Sequence, residues 1–376
     1  MMRKVFSCFI IAACLATAGW AETLARHGRG WLERRDGSLV LHLAGSPYEM
    51  GEQHGVLLKD HIQKNLDYLL REKGGDEVIE LGSIKMTAGD IIRLIVGLQR
   101  QHVPAHYWEE LKGVAAGAGT PVADIEAANF IPELFHCSGF ALLNSATSGG
   151  ELLHGRVLDY GVEDHLQDHA VVIVAEPEGG VPFVNIGYAG FIGSVTGMNA
   201  ERISIGEMGG GGVGHWNGMP MALLVREALQ TARSLDEALE VFRSRPRTCE
   251  YFYVVADGET KEAVGMEASW DRFEVLRPGE SNALLPRPLT DAVALSAGDR
   301  YHHLVDRIEA GHGKFDADSA LRLMDRPVAM KSNLHNALFE TTSLRFWVAN
   351  AGPNGEPAAE QNYHRFDLQE LLSSKP

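Results

Sequence analysis

Long hydrophobic runs are scarce in this 376-residue sequence. Beyond the stretch from Val5 to Trp20, no segment approaches the roughly 20 unbroken apolar residues that a spanning helix needs, so no membrane span is expected. Clustered basic charge is also missing. Lys and Arg number 34 against 50 Asp and Glu, a net charge of −16. A phosphate-binding surface needs grouped Lys and Arg, which argues against nucleic acid as a partner. Cysteine is rare, at four residues, and two of these, Cys8 and Cys14, lie in the first apolar stretch. Cys137 and Cys249 alone make no disulfide framework. The 16 His residues include no His-Glu-x-x-His pattern, and His54 and His61 lack a neighbouring acidic partner that would complete a zinc site, so neither metal nor cofactor is expected. Gly209 to Gly212, with Gly214, lacks the Gly-Lys-Ser/Thr ending of a phosphate loop and reads as a flexible rim loop. There is no internal repeat and no low-complexity tract.

What is present is ordinary globular composition, 45% hydrophobic and 22% charged. Arg3 and Lys4, the apolar stretch, and the small residues Gly19 and Ala21 read as an export signal over residues 1–21, cut before Glu22. That predicts a periplasmic or extracellular protein. Ile11-Ala12-Ala13-Cys14 resembles a lipoprotein processing site, but apolar residues continue past Cys14 and a better cleavage site follows. A free thiol kept in an oxidising compartment invites a functional explanation.

The chain changes character near Cys137. Before it the periodicity is helical: Leu58, Ile62, Leu66 and Leu70 form one stripe on a helix from about Glu49 to Arg71. Asp90–Gln101, Ala105–Ala116 and Val122–Leu134 read as further helices. After Cys137 short β-rich runs dominate, with two helices among them, after Pro220 and at the Ser234 capping box. This order implies α+β layers. A hairpin centred near Ser148 and Gly149 would set Cys137 opposite Tyr160 and return Arg156 and Asp159 to its neighbourhood. Strict alternation sends Arg156 and Asp159 to opposite faces, so a bulge or strand end is expected to reorient one of them. A thiolate nucleophile, a cation that lowers its pKa, and a carboxylate orienting Arg156 or an amine make a chemical unit. A buried Cys beside an exposed ion pair is the plain alternative.

The stretch Cys137-Ser-Gly-Phe-Ala, with Gly149 to Asp159 (Gly-Gly-Glu-Leu-Leu-His-Gly-Arg-Val-Leu-Asp), resembles the penicillin acyltransferase family of N-terminal-nucleophile cysteine hydrolases. Gly45 to Gly55 is similar to the segment opening that family's pro-region. Thr196 to Asn199, Thr248 to Asp257 and Ser332 to His335 are weaker matches. The resemblance implies a four-layer αββα sandwich with a helical N-terminal pro-segment, 22–136, and a catalytic domain, 137–376, the two chains staying associated after self-cleavage between His136 and Cys137. His136 is a departure, since relatives often have Gly there. The freed α-amine of Cys137 would serve as base for its own thiol, with an amide or acyl-transfer substrate passing through a thioester. The partner implied is a small N-acyl compound, with water, an amine or an acyl thioester as second reactant.

For the oxyanion hole the family uses an Asn near the strand that here reads Cys249-Glu250-Tyr251. Asn333 is then the favoured donor, with Asn199, Glu250 or backbone amides as alternatives. Tyr251, Trp216, Phe252, Tyr253 and Trp347 are candidates for an apolar acyl pocket or for the core. Two other readings remain. A papain-like thiol hydrolase predicts a helix after Cys and a Cys-Gly-Ser/Ala-Cys-Trp/Tyr signature. A secreted non-catalytic binding protein predicts indifference to loss of Cys137.

Overall fold

The computed structural model describes residues 21–73, 77–81, 84–131 and 137–376. All of the expected export signal but Ala21, Cys14 included, and His136 therefore lie outside the described residues. Two large sheets organise the rest. The larger runs in the order Ala21–His27, Gly30–Arg35, Ser38–Gly45, Ala170–Pro177, Phe183–Tyr188, Thr196–Asn199, Ile203–Gly209, Tyr251–Asp257, Glu262–Ala268, Phe273–Leu276. The smaller runs Ala292–Leu295, Ser138–Leu142, Leu153–Asp159, Asn333–Glu340, Arg345–Asn350, His364–Asp367.

Alternation along these strands stacks the layers. Val40, Val172, Val174, Val184 and Ile186 on the larger sheet meet Ala337, Phe339, Phe346 and Val348 of the smaller one. Their neighbours Leu41, Leu43, Ile173, Ala175 and Phe183 point the other way, into a core shared with helices Pro47–Leu57, Ala105–Ala118, Met221–Thr231 and Leu235–Ser244. On the far side, Phe140, Leu142, Leu153 and Val157 pack against Leu304, Val305 and Ile308 of helix Asp299–Gly311. Each such Val, Leu, Ile or Phe side chain contributes about 1.5–3 kcal/mol by leaving water. The result is the α+β, helix–sheet–sheet–helix sandwich that the family resemblance implies.

The segment before Cys137 is not helical throughout, which corrects the sequence reading. Residues 21–45 form three strands of the larger sheet, and Ser38–Gly45 pairs in parallel with Ala170–Pro177, Val40 opposite Val172. The expected single helix from Glu49 to Arg71 is two α-helices, the second of which runs on into a π-helix, Asp67–Lys73. Ser46 caps the first with a capping box to Glu49 and Pro47 at its start. Leu58, at φ −119°, interrupts it before Lys59–Leu66. The last helix before Cys137 stops at Asn129, and residues 132–134 of the span expected to reach Leu134 lie outside the described residues.

The Gly45–Gly55 block explains itself here. Helix Pro47–Leu57 crosses Ala105–Ala118 so closely that a Cβ on Gly51 would stand 2.0 Å from the Glu110 carbonyl oxygen, and one on Gly113 2.3 Å from that of Tyr48. Gln53 anchors the helix to the adjoining strand, its amide accepting from the Ala44 N–H (3.0 Å) and donating to the Ala44 carbonyl (2.8 Å).

Candidate active site

Cys137 immediately precedes the strand Ser138–Leu142, which pairs antiparallel with Leu153–Asp159, Ser138 opposite Val157. The hairpin thus centres near Thr147 and Ser148, one residue earlier than expected. Extending the register sets Cys137 opposite Leu158 rather than Tyr160. Cys137 and Leu158 share one apolar cluster between the sheets.

Strict alternation holds along Leu153–Asp159, so the expected reorientation does not occur. Arg156 points into the layer between the sheets, fully buried, where its Nη2 donates to Glu207 Oε2 at 3.4 Å and its Nη1 to the Val157 carbonyl. Gly206, beside Glu207, leaves room for it: a Cβ there would lie 3.1 Å from Arg156 Cδ and 3.0 Å from His154 Nε2. Asp159 faces the opposite way, toward helix Asp299–Gly311. Its Oδ1 accepts the Met330 N–H at 2.9 Å and its Oδ2 accepts from Arg300 Nη1. Arg300 Nη2 donates to the Cys137 carbonyl at 2.9 Å. The partner of Asp159 is therefore Arg300, not Arg156, and the carboxylate reaches Cys137 through the guanidinium. Burial pushes the Asp159 carboxyl up, with Arg300 and the Met330 N–H opposing.

The Cys137 thiol is free and 4% exposed. Burial pushes its pKa up to about 11; Arg156 and the Asp159 N–H pull it down, while Glu207 and the Asp159 carboxylate push it higher. Such a thiol is protonated at neutral pH and needs a base to become a nucleophile. The hydroxyl of the next residue, Ser138, meets the Ser296 hydroxyl at 2.7 Å.

Three expected oxyanion donors make their hydrogen bonds elsewhere. Asn333 is buried, with its Nδ2 donating to the Leu158 carbonyl (3.0 Å), the His335 carbonyl (3.3 Å) and Asn336 Oδ1 (2.9 Å), and its Oδ1 accepting the Ala359 N–H. It ties the bulged strand together. Asn199 donates to the Leu229 and Ala232 carbonyls and accepts from the Glu201 and Ile203 N–H groups, closing a turn. Glu250 Oε2 accepts the Gly211 N–H at 2.8 Å, so it holds the glycine-rich loop. Cys249 is free and buried.

A cavity of about 90 Å³ opens beside Leu158. Leu69, Leu158, Tyr188 and Leu334 connect it to the apolar cluster that holds Cys137. Ala128, Phe130, Met221 and Tyr251 extend it into the core beneath the outer helices. Its wall is built by residues on both sides of Cys137 in sequence. Of the aromatic candidates, Tyr251 and Trp216 line it, whereas Tyr253 and Trp347 pack in the sheet–helix cores. Sequence reasoning missed Arg300 and Glu207. Arg300 carries no motif and lies 163 residues from Cys137, while Glu207 is a lone carboxylate in a β-rich run. Among the described residues, no group of three or more His, Cys, Asp and Glu is placed to hold a metal, and no helix is long and apolar enough to cross a membrane.

Comparison with known proteins follows the same lines. Residues 146–277 match the family of acyl-coenzyme A:6-aminopenicillanic acid acyl-transferases, which shows the resemblance read from the hairpin. Protein dcd1B of Dictyostelium discoideum is 26% identical over 90% of this chain and 75% of its own length. An N-acylethanolamine-hydrolyzing acid amidase of Caenorhabditis elegans is 22% identical over 60% of this chain and 69% of its own. Two further relatives are spanned over 59% and 51% of their lengths. A solved C. elegans ortholog of that amidase aligns with a TM-score of 0.45 at 17% identity, covering 55% of this chain and 93% of that one.

Proposed function

We propose, from the chain's likeness to the acyl-coenzyme A:6-aminopenicillanic acid acyl-transferase family, that it is an exported, self-processing cysteine amidohydrolase or acyltransferase acting on a small N-acyl compound. The observation that carries this reading is the fixed main chain at Cys137. A buried Asp159 holds Arg300, Arg300 holds the Cys137 carbonyl, and the thiol lies in the apolar cluster that opens to a cavity. That is the rigid positioning a nucleophile needs.

In the first reaction the Cys137 sulfur attacks the carbonyl of His136. The C–N bond breaks as the thioester forms, and the nitrogen leaves as the α-amine of Cys137. Water then hydrolyses the thioester, releasing the His136 carboxylate. The new α-amine, with an ordinary pKa near 8, takes the proton that the buried thiol holds too tightly to lose unaided. Substrate turnover repeats the sequence: sulfur attacks the acyl carbonyl, the amine departs with the proton, and water or a second amine takes the acyl group from sulfur. The N-acylethanolamine amidase among the relatives acts on such an amide. A papain-like mechanism is disfavoured because Cys137 opens a strand instead of a helix.

Intact mass and denaturing electrophoresis test the proposal. The purified protein should consist of two chains parting before Cys137, and Cys137→Ala should stay whole and inactive. An uncut wild type that turns over no N-acyl amide would leave only the non-catalytic binding protein.

A further inference from the structure

Two amide side chains lining the cavity have no hydrogen-bond partner for their oxygens among the described residues. Asn185, 2% exposed, donates its Nδ2 to the Gly193 carbonyl at 2.9 Å, which fixes the orientation of the amide, and its Oδ1 bonds to none of the described residues. Gln99, 3% exposed, likewise has a buried Oε1 with no partner among the described residues. Both line the cavity. Asn185 belongs to the strand Phe183–Tyr188 and Gln99 ends the helix Ala88–Gln99, so they reach it from opposite sides of the expected cut. A buried oxygen without a donor costs about 1–3 kcal/mol, and natural cores rarely keep one without a use.

The direction of the cavity says which part of a substrate meets them. It leads from the cluster around Cys137 to the core under the outer helices. The acyl group stays on the enzyme as the thioester, whereas the amine must leave and water must enter. The cavity beside Leu158, next to the cluster that holds Cys137, therefore suits the acyl group. We infer that Asn185 and Gln99 select an acyl group bearing a hydrogen-bond donor, such as a hydroxyl, at a distance from the reacting carbonyl, the two amide oxygens being its acceptors. This rests on the proposed amide chemistry and names its substrate class. A purely apolar acyl chain would displace water from the cavity and leave both oxygens bare, so discrimination comes as much from rejecting the wrong chain as from binding the right one.

The test separates binding from turnover. Calorimetry on the uncut Cys137→Ala protein compares straight-chain carboxamides of graded length with their ω-hydroxy counterparts, while the wild type is assayed for hydrolysis of the same acyl groups as anilides. At the best length the hydroxylated member should bind about tenfold or more tighter. Gln99→Leu should abolish or reverse that preference, and an intact thermal transition shows that the variant is folded. The wild-type-cavity comparison decides even where the variant misfolds. Equal binding, or tighter binding of the apolar member, at every length overturns the inference even if both anilides are hydrolysed. The expected preference without hydrolysis of either anilide upholds the selectivity of the cavity and sinks the amidase reading instead.

Discussion

Replacing Arg300 by Met in the Cys137→Ala background isolates the ion pair behind position 137. The Asp159 side chain is 0% exposed and that of Arg300 14%. Without the guanidinium the carboxylate keeps the Met330 N–H as its donor among the described residues, in a site closed to water. Breaking a buried pair from one side costs about 3–5 kcal/mol. Asp159→Asn should cost less, about 1–3 kcal/mol, because the amide oxygen still accepts from Met330 and the partly exposed Arg300 can be hydrated. The double variant has no stranded charge, so its loss should fall short of the sum by about 2 kcal/mol. Urea unfolding at constant m-value gives all four corners of the cycle. With Cys137 restored, the same variants should cut themselves more slowly, tenfold for each 1.4 kcal/mol lost from the positioning of its carbonyl. An additive cycle, or Arg300→Met within about 0.5 kcal/mol of its parent, would refute the claim that Asp159 acts through Arg300.

Three further outcomes follow from the packing. Arg226 and Glu110 pair bidentately at 3.0 and 3.2 Å, buried between helices on either side of Cys137. Glu110→Gln should weaken the grip between the processed chains by about 3 kcal/mol, read as their separation on size-exclusion in mild urea; unchanged co-elution counts against it. Burial holds His54 down to about 4, His154 to about 3 and His335 well below 6.5. Their folded-state values lie under the unfolded one, so the stability they contribute is complete above pH 6.5 and drains away as pH falls toward those values. The slope approaches 1.4 kcal/mol per pH unit for each His; a melting temperature unchanged between about pH 6.5 and 5 would contradict it. Gly51→Ala drives a methyl into the Glu110 carbonyl and should cost about 3 kcal/mol or more, since overpacking here meets backbone; a variant as stable as wild type would mean the helices can part freely.

The features legible in sequence were those written locally. The helix cap at Ser234, the period-four stripe and the hairpin composition around residues 147–150 each depend on neighbours within a few positions. Cys137 was found by the words beside it. The strands of residues 21–45 escaped because their pattern is broken by buried polar residues: Glu33 and His42 face each other at 3.4 Å, and Ala21–His27 is exposed along most of its length. The surroundings of Asn333 were hidden for a related reason. A turn-capping Asn and an oxyanion donor look alike until the four hydrogen bonds are counted. Arg300 was beyond reach because long-range pairing alone delivers it to Asp159.

The parallel pairing of Ser38–Gly45 with Ala170–Pro177 has a bearing on reversibility. It is made while both strands belong to one molecule, when closing the intervening loop is a unimolecular event. A chain severed before Cys137 after folding keeps those strands hydrogen-bonded, yet once melted they must find each other in a second-order encounter. The mature protein would then occupy a state that its own two pieces reach only slowly and in proportion to concentration. Its endurance becomes a matter of how fast it unravels, set by a precursor that no longer exists.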